Sequence, residues 1–250
     1  MVRMILTDLK KLVGHYHIYA FMLGLGCIYI LAYFEMAQGQ TYMGSFAEGL
    51  GYIRGNEILL LCFLICIVGG SFLYCAEEKY GYLKFEIQRV GISVFTISKL
   101  IISVIGGFIT AIVGVVISMC GIIVILFCKY EDKSLIWGEF DYLEYIVWVW
   151  IFQALLCGVL SAIGFVVTTF VANYYIGMTA PLLLYYVILE LEGWIQIPKL
   201  IEFTTVYTQV RGIREGYLFY FVYAVLYTIG LCVLFYIIAK KQIQRRLEHA

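Results

Sequence analysis

The residues able to do chemistry are few in this 250-residue chain: three histidines, eight cysteines and one adjacent glutamate pair, Glu77-Glu78. His15, His17 and His249 sit near the two ends of the sequence, and no helix-like stretch pairs His with His or Glu at metal-ligating spacing. A glutamate-pair membrane protease would need an Arg where Tyr82 stands and a later histidine inside an apolar run, and neither is present. Cys27, Cys62, Cys66, Cys75, Cys120, Cys128, Cys157 and Cys232 all fall within or beside apolar runs, where cysteine packs as a small apolar side chain. No Gly-rich loop leads into Gly-Lys-Ser/Thr, so no nucleotide-phosphate cradle is encoded. The sequence therefore predicts no catalytic residue, no metal site and no cofactor held by this chain.

The elements around these residues explain why. Charged residues make up 14% of the chain, against about 25% in soluble domains, and apolar residues 63%, against about 45–50%. That balance excludes a soluble globule, a disordered chain, a secreted disulfide scaffold and a nucleic-acid binder. Charge-free runs cover residues 12–34, 58–76, 100–128, 145–189 and 216–239. About 20 apolar residues cross a bilayer as a helix, so the long fourth run holds two spans. A turn at Ala172-Asn173-Tyr174-Tyr175 divides it, and Pro181 falls early in the fifth span. The expectation is an all-α integral membrane protein forming a single domain over 1–250. Its six spans are placed at about 15–34, 58–76, 100–128, 145–171, 176–190 and 217–239. Continuous rather than alternating apolar runs exclude a β-barrel.

Lys and Arg set the orientation. Eleven lie on the side of the two termini and six on the other, which predicts both termini in the cytoplasm of a plasma membrane. Residues 1–13 place Val2, Ile5, Leu6, Leu9, Leu12 and Val13 at helical spacing, an amphipathic helix for the membrane interface. Between spans two and three, Leu83, Ile87, Val90 and Val94 recur at helical spacing among Lys84, Gln88 and Arg89, which predicts a short surface helix weakened near Gly91. Residues 190–215, with Trp194 and Pro198, form an extracellular hairpin between spans five and six. In the third span Ser103, Gly107, Ala111, Gly114, Ser118 and Gly121 make one small-residue stripe that admits a neighbouring helix. No ionisable residue lies in the middle of a predicted span, which argues against ion-coupled transport and an ion pore. Any uphill transport must then draw energy from another chain.

This layout resembles the permease subunit of an ABC-2 type exporter. The likeness is most specific from Glu77-Glu78-Lys79-Tyr80-Gly81-Tyr82-Leu83-Lys84 through Gln88-Arg89 to Ile97-Ser98-Lys99-Leu100. The resemblance implies that Glu78, Leu83, Lys84, Ile87, Gln88 and Arg89 form a coupling helix docking into a separate ATP-binding subunit, where ATP and Mg are bound. It also implies a second permease copy, surrounding membrane lipids and, by similarity to small bacterial exporters of phenol-soluble modulin or lantibiotic-immunity type, an amphipathic peptide cargo. Tyr185, Tyr186 and Tyr220 are the candidates for lining its path. Export of lipophilic drugs or lipids, and a non-transporting membrane scaffold, are the alternatives.

Overall fold

The computed structural model describes residues 2–14, 16–39, 58–79, 81–129, 140–194, 206–207 and 216–248. Among them are eight helices and no strand: α1 (Val2–Gly14), α2 (Tyr16–Gly39), α3 (Ile58–Lys79), α4 (Tyr82–Val90), α5 (Ile92–Lys129), α6 (Phe140–Phe170), α7 (Tyr174–Trp194) and α8 (Tyr217–Glu248). Five of these, α2, α5, α6, α7 and α8, are long and apolar enough to cross a membrane. Over the described residues the protein is all-helical, with the helices of a multi-pass membrane protein. Helix α3 covers the stretch at 58–76 where the sequence placed a second span, with Glu77, Glu78 and Lys79 as its last turn. The expected hairpin falls mostly on residues 195–205 and 208–215, outside the described residues, although α7 itself continues through Glu190 to Trp194.

Helix α6 is the hub. Of its spanning window, 78% is buried, against 11% for α8, and it touches α3, α5, α7 and α8. The outward faces carry large exposed apolar side chains such as Leu31, Val124, Leu183, Leu226 and Ile237, a surface suited to the membrane interior. Helix α5 is the longest, with 38 residues or about 57 Å at the α-helical rise. A hydrocarbon core of about 30 Å leaves several of its turns outside, and it is at this projecting N-terminal end that α1 and α4 pack.

Between apolar helices in lipid no hydrophobic gain drives association, so close backbone approach has to supply the attraction. The small-residue stripe of α5 does this against two partners. At Gly107 an added Cβ would lie 2.6 Å from the Cys157 carbonyl oxygen, and at Gly158 of α6 it would lie 2.9 Å from the Val104 oxygen, so the two glycines let α5 and α6 meet at one crossing. Ser103 donates to the Ser161 carbonyl at 2.7 Å beside it. Ala111 is buried in mid-stripe, and the Ser118 hydroxyl turns back onto the Val115 carbonyl of its own helix at 2.6 Å. Gly114 and Gly121 face Leu25 and Ile30 of α2 instead.

The turn between α6 and α7 occupies residues 171–173, where the sequence placed it at 172–175, so Tyr174 and Tyr175 already belong to α7. Asn173 starts α7 by accepting the Tyr175 amide on its side-chain oxygen at 2.9 Å. Pro181 within α7 has no N–H for the Gly177 carbonyl four residues back. Gly164 of α6 lies against that same carbonyl, where an added Cβ would come within 2.9 Å.

Gly107→Ala and Gly158→Ala force α5 and α6 apart at backbone, where no side chain can yield. Each is expected to cost about 1–3 kcal/mol, read as a lower unfolding temperature of the purified protein. Gly230→Ala, with nothing within 4 Å of the added carbon, is the control and leaves that temperature unchanged or slightly higher.

Candidate functional site: a buried charge cluster at one end of the bundle

Five charges from four helices converge where α5 projects. Lys99 lies at the start of the third turn of α5 with its side chain 1% exposed. Its ammonium donates to Asp8 Oδ1 of α1 at 3.0 Å and to Glu77 Oε1 of α3 at 2.5 Å, and Glu86 Oε2 of α4 lies 3.8 Å away. Ser98 donates its hydroxyl to the other Asp8 oxygen at 2.7 Å, so both oxygens of this buried carboxylate are engaged. The Phe95 ring covers the ammonium, 5.3 Å from Nζ to its centroid.

Lys11 closes the outer side. Its ammonium donates to Glu77 Oε1 at 2.9 Å and to Glu86 Oε1 at 2.6 Å. Glu77 Oε1 thus accepts from both lysines and sits at the centre. Burial works against the charged form of Lys11, but hydrogen bonds to Glu86 and Glu77 and the two carboxylate charges outweigh it and hold its pKa above the ordinary 10.5. The oxygens of Asp8, Glu77 and Glu86 lie within 4.8 Å of one another, a spacing that could suit a metal ion. Here the two ammoniums supply the positive charge that keeps three carboxylates together.

The local sequence delivers each group. In α1, Asp8 and Leu12 fall on the face turned to α5 and are buried, while Leu6 and Val13 remain exposed. The amphipathic helix therefore points its one acid inward, together with part of its apolar stripe. Glycines in the left-handed region bracket α4: Gly81 (φ 71°) turns the chain after α3, and Gly91 (φ 83°) ends α4 with its amide on the Ile87 carbonyl at 2.8 Å. These two turns swing Glu86 back over Glu77 while α5 restarts immediately at Ile92.

A second, more open link lies beside the first. Arg246 near the end of α8 donates to Glu78 Oε1 at 2.6 Å and, through its other terminal nitrogen, to the carbonyl of Phe170, the last residue of α6, at 2.7 Å. That carbonyl is one of those a helix end leaves without an intrahelical donor. Burial raises the Glu78 pKa above its ordinary value, and the Arg246 charge opposes the shift only in part. Adjacent carboxylates at the end of α3 thus hold different parts of the chain: Glu77 binds α1 and α5, and Glu78 binds α8.

The residues expected to dock a partner divide accordingly. Lys84, Gln88 and Arg89 are exposed, joined by Tyr82 and Phe85, which sequence spacing did not single out. Ile87 is buried and Leu83 partly buried in a core cluster with Tyr74, Phe95 and Ile243, so the apolar face of α4 is spent on holding the helix to the bundle. Glu78 is engaged by Arg246. Of the three tyrosines, Tyr185 is buried edge-on against Phe63 with centroids 5.3 Å apart, Tyr186 is exposed beside it, and Tyr220 packs apart from them against Phe152 at 5.4 Å. The seven described cysteines are free thiols.

Replacing one member of a buried pair strands its partner's charge, so Lys99→Met is expected to destabilise by about 3–5 kcal/mol. In a double-mutant cycle with Asp8→Asn the combined loss should fall well short of the sum of the single losses; additive losses would show the two groups to be uncoupled. A lysine whose folded-state pKa is raised contributes stability that is complete below 10.5 and is lost as pH climbs beyond it. Unfolding temperatures measured from neutral to alkaline pH should decline above that value, and less steeply in Lys11→Met. Compared with family models, curated proteins and solved structures, the chain matches none.

Proposed function

We propose that the chain is the membrane-spanning subunit of an ABC-2 type exporter, with six spans, both termini in the cytoplasm and a plasma-membrane location. It moves amphipathic or hydrophobic peptides outward, as one of two permease copies, on energy from a separate ATP-binding subunit that holds ATP and Mg. In this reading the chain itself performs no catalysis.

The observation that carries the proposal is the mounting of α4. This nine-residue helix hangs between two left-handed glycines, fixed inward through Ile87 and Glu86, with Tyr82, Lys84, Phe85, Gln88 and Arg89 facing out. A free-standing loop would absorb a push from a partner. A short helix tied by ion pairs to α1 and, through Lys99, to the 38-residue α5 passes it on. Closure of the ATP-binding subunits on α4 would then tilt α5 against α6 at the Gly107–Gly158 crossing.

A second cargo reading has its own support. An apolar groove of about 500 Å³ runs along α5 and α8, lined by Leu100, Val104, Ile229 and Cys232 among others, and it suits a lipophilic drug or a lipid as well as the apolar face of a peptide.

Gln88→Glu with Arg89→Glu reverses the charge of the outward face of α4 without touching the ion-pair cluster. It is expected to abolish co-purification with the cognate ATP-binding subunit and cargo-stimulated ATP hydrolysis while the unfolding temperature stays put. Unchanged co-purification and stimulation would refute α4 as the docking element. Stimulation by amphipathic helical peptides but not by small lipophiles is the expected cargo result, and the reverse would favour the second reading.

A further inference from the structure

A cavity of about 510 Å³ lies between α1 and α4 and shares Asp8, Lys11 and Glu86 with the charge cluster. Its other charged lining residues are Arg3 of α1 and Arg89 of α4, with Tyr82 and Phe85 alongside. The acids already face cations: Asp8 accepts from Ser98 and Lys99, and Glu86 accepts on Oε1 from Lys11 while Lys99 lies 3.8 Å from its Oε2. Arg3 and Arg89 are exposed, and among the described residues neither guanidinium makes an ion pair or a side-chain hydrogen bond. The cluster has three carboxylates against two ammoniums, and the two guanidiniums turn the region net positive.

We infer that this cavity holds the phosphate of an anionic phospholipid headgroup, gripped by Arg3 from one helix and Arg89 from the other. The chemistry fits in three respects. Guanidinium forks match phosphate oxygens in pairs of charge-assisted hydrogen bonds. The site lies at the end of the spanning bundle, beside an amphipathic helix whose exposed Leu6 and Val13 suit the membrane interface. The exposed rings of Tyr82 and Phe85, 60% and 73% accessible, offer an apolar flank to the glycerol and upper acyl carbons rather than to water. A bound headgroup would bridge α1 and α4 where protein contacts alone leave two cations unmatched, making anionic lipid a structural part of this end of the bundle. Tyr82, Phe85 and Arg89 also belong to the outward face of α4, so a bound headgroup would sit at the edge of the surface proposed for the ATP-binding subunit, with Lys84 and Gln88 left to that contact. The lipid is measured on the chain alone, so failure of either reading is seen without the other.

The test is isothermal titration of the purified full chain in a neutral detergent with three probes: dihexanoyl phosphatidylglycerol, dihexanoyl phosphatidylcholine and glycerol 3-phosphate. Phosphatidylglycerol is expected to bind most tightly. Arg3→Gln with Arg89→Gln should weaken it by about tenfold or more, the loss of two charge-assisted contacts. Arg3→Lys with Arg89→Lys should recover much of it. Because neither side chain supports the fold, the unfolding temperatures of these variants without lipid should match the parent. Equal affinity for the choline and glycerol lipids would overturn the inference, as would undiminished binding by the glutamine variant. Glycerol 3-phosphate binding as tightly as the lipid would also overturn it, by showing the site to be one for a soluble phosphate.

Discussion

The ammonium of Lys99 is the demand that the charged end of this molecule is built to meet. An unpaired charge at 1% exposure would cost several kcal/mol, and no residue near Lys99 in sequence can neutralise it. Asp8 and Glu77 come from 91 and 22 residues away, which forces α1 and the end of α3 against α5. Lys11 and Glu86 then extend the network to its half-open rim and bring α4 with them. Apolar packing of Leu12 on Ile102 and of Ile87 among Tyr74 and Phe95 holds these four helices together, and one buried cation with the acids it requires fixes which faces meet.

The spanning part obeys a different rule. There the solvent is as apolar as the side chains, so fit decides. Helix α6 occupies the centre because its glycines and serines let α5 come to backbone distance, while Gly164 accepts α7 at the carbonyl that Pro181 leaves without a donor. The two regions meet in α5, whose N-terminal turns carry the cluster and whose middle carries the crossing with α6. Any displacement at α4 must therefore be felt at Gly107 or be absorbed at Gly91, the break between α4 and α5.

Features that depend on neighbours in the chain were readable from the amino acids. The 3.6-residue periodicity of Leu83, Ile87 and Val90 marked α4, although the pattern ran on to Val94, which belongs to α5 beyond the break at Gly91, and the polar turn that includes Asn173 divided α6 from α7. The stripe of α5 was visible for the same reason, as were the long apolar runs. What spacing did not yield was the assignment of partners. Asp8, Lys11, Glu77 and Lys99 each stood at the edge of an apolar run, where charges ordinarily flank a span in contact with water. Only the packing of α1 on α5 removes that water. Likewise, periodicity gives α4 an apolar face but does not say whether the bundle or another protein covers it. Ile87 turned inward, leaving Tyr82 and Phe85 outside. Gly114 and Gly107 sit on one stripe yet meet different helices, because the facing surface belongs to segments far away in the chain.

The pairing of Glu78 with Arg246 has a consequence for biosynthesis. The two residues are 168 positions apart, and Arg246 also caps α6, so this latch can close only after every described helix has been synthesised and inserted. Glu77, by contrast, can engage Asp8's helix and Lys99 when less than half of the chain has been made. The neighbouring carboxylates thus act at opposite ends of assembly. One ties together the early helices, and the other accepts α8, so a chain truncated before α8 would carry a half-finished α3 terminus with the Phe170 carbonyl bare.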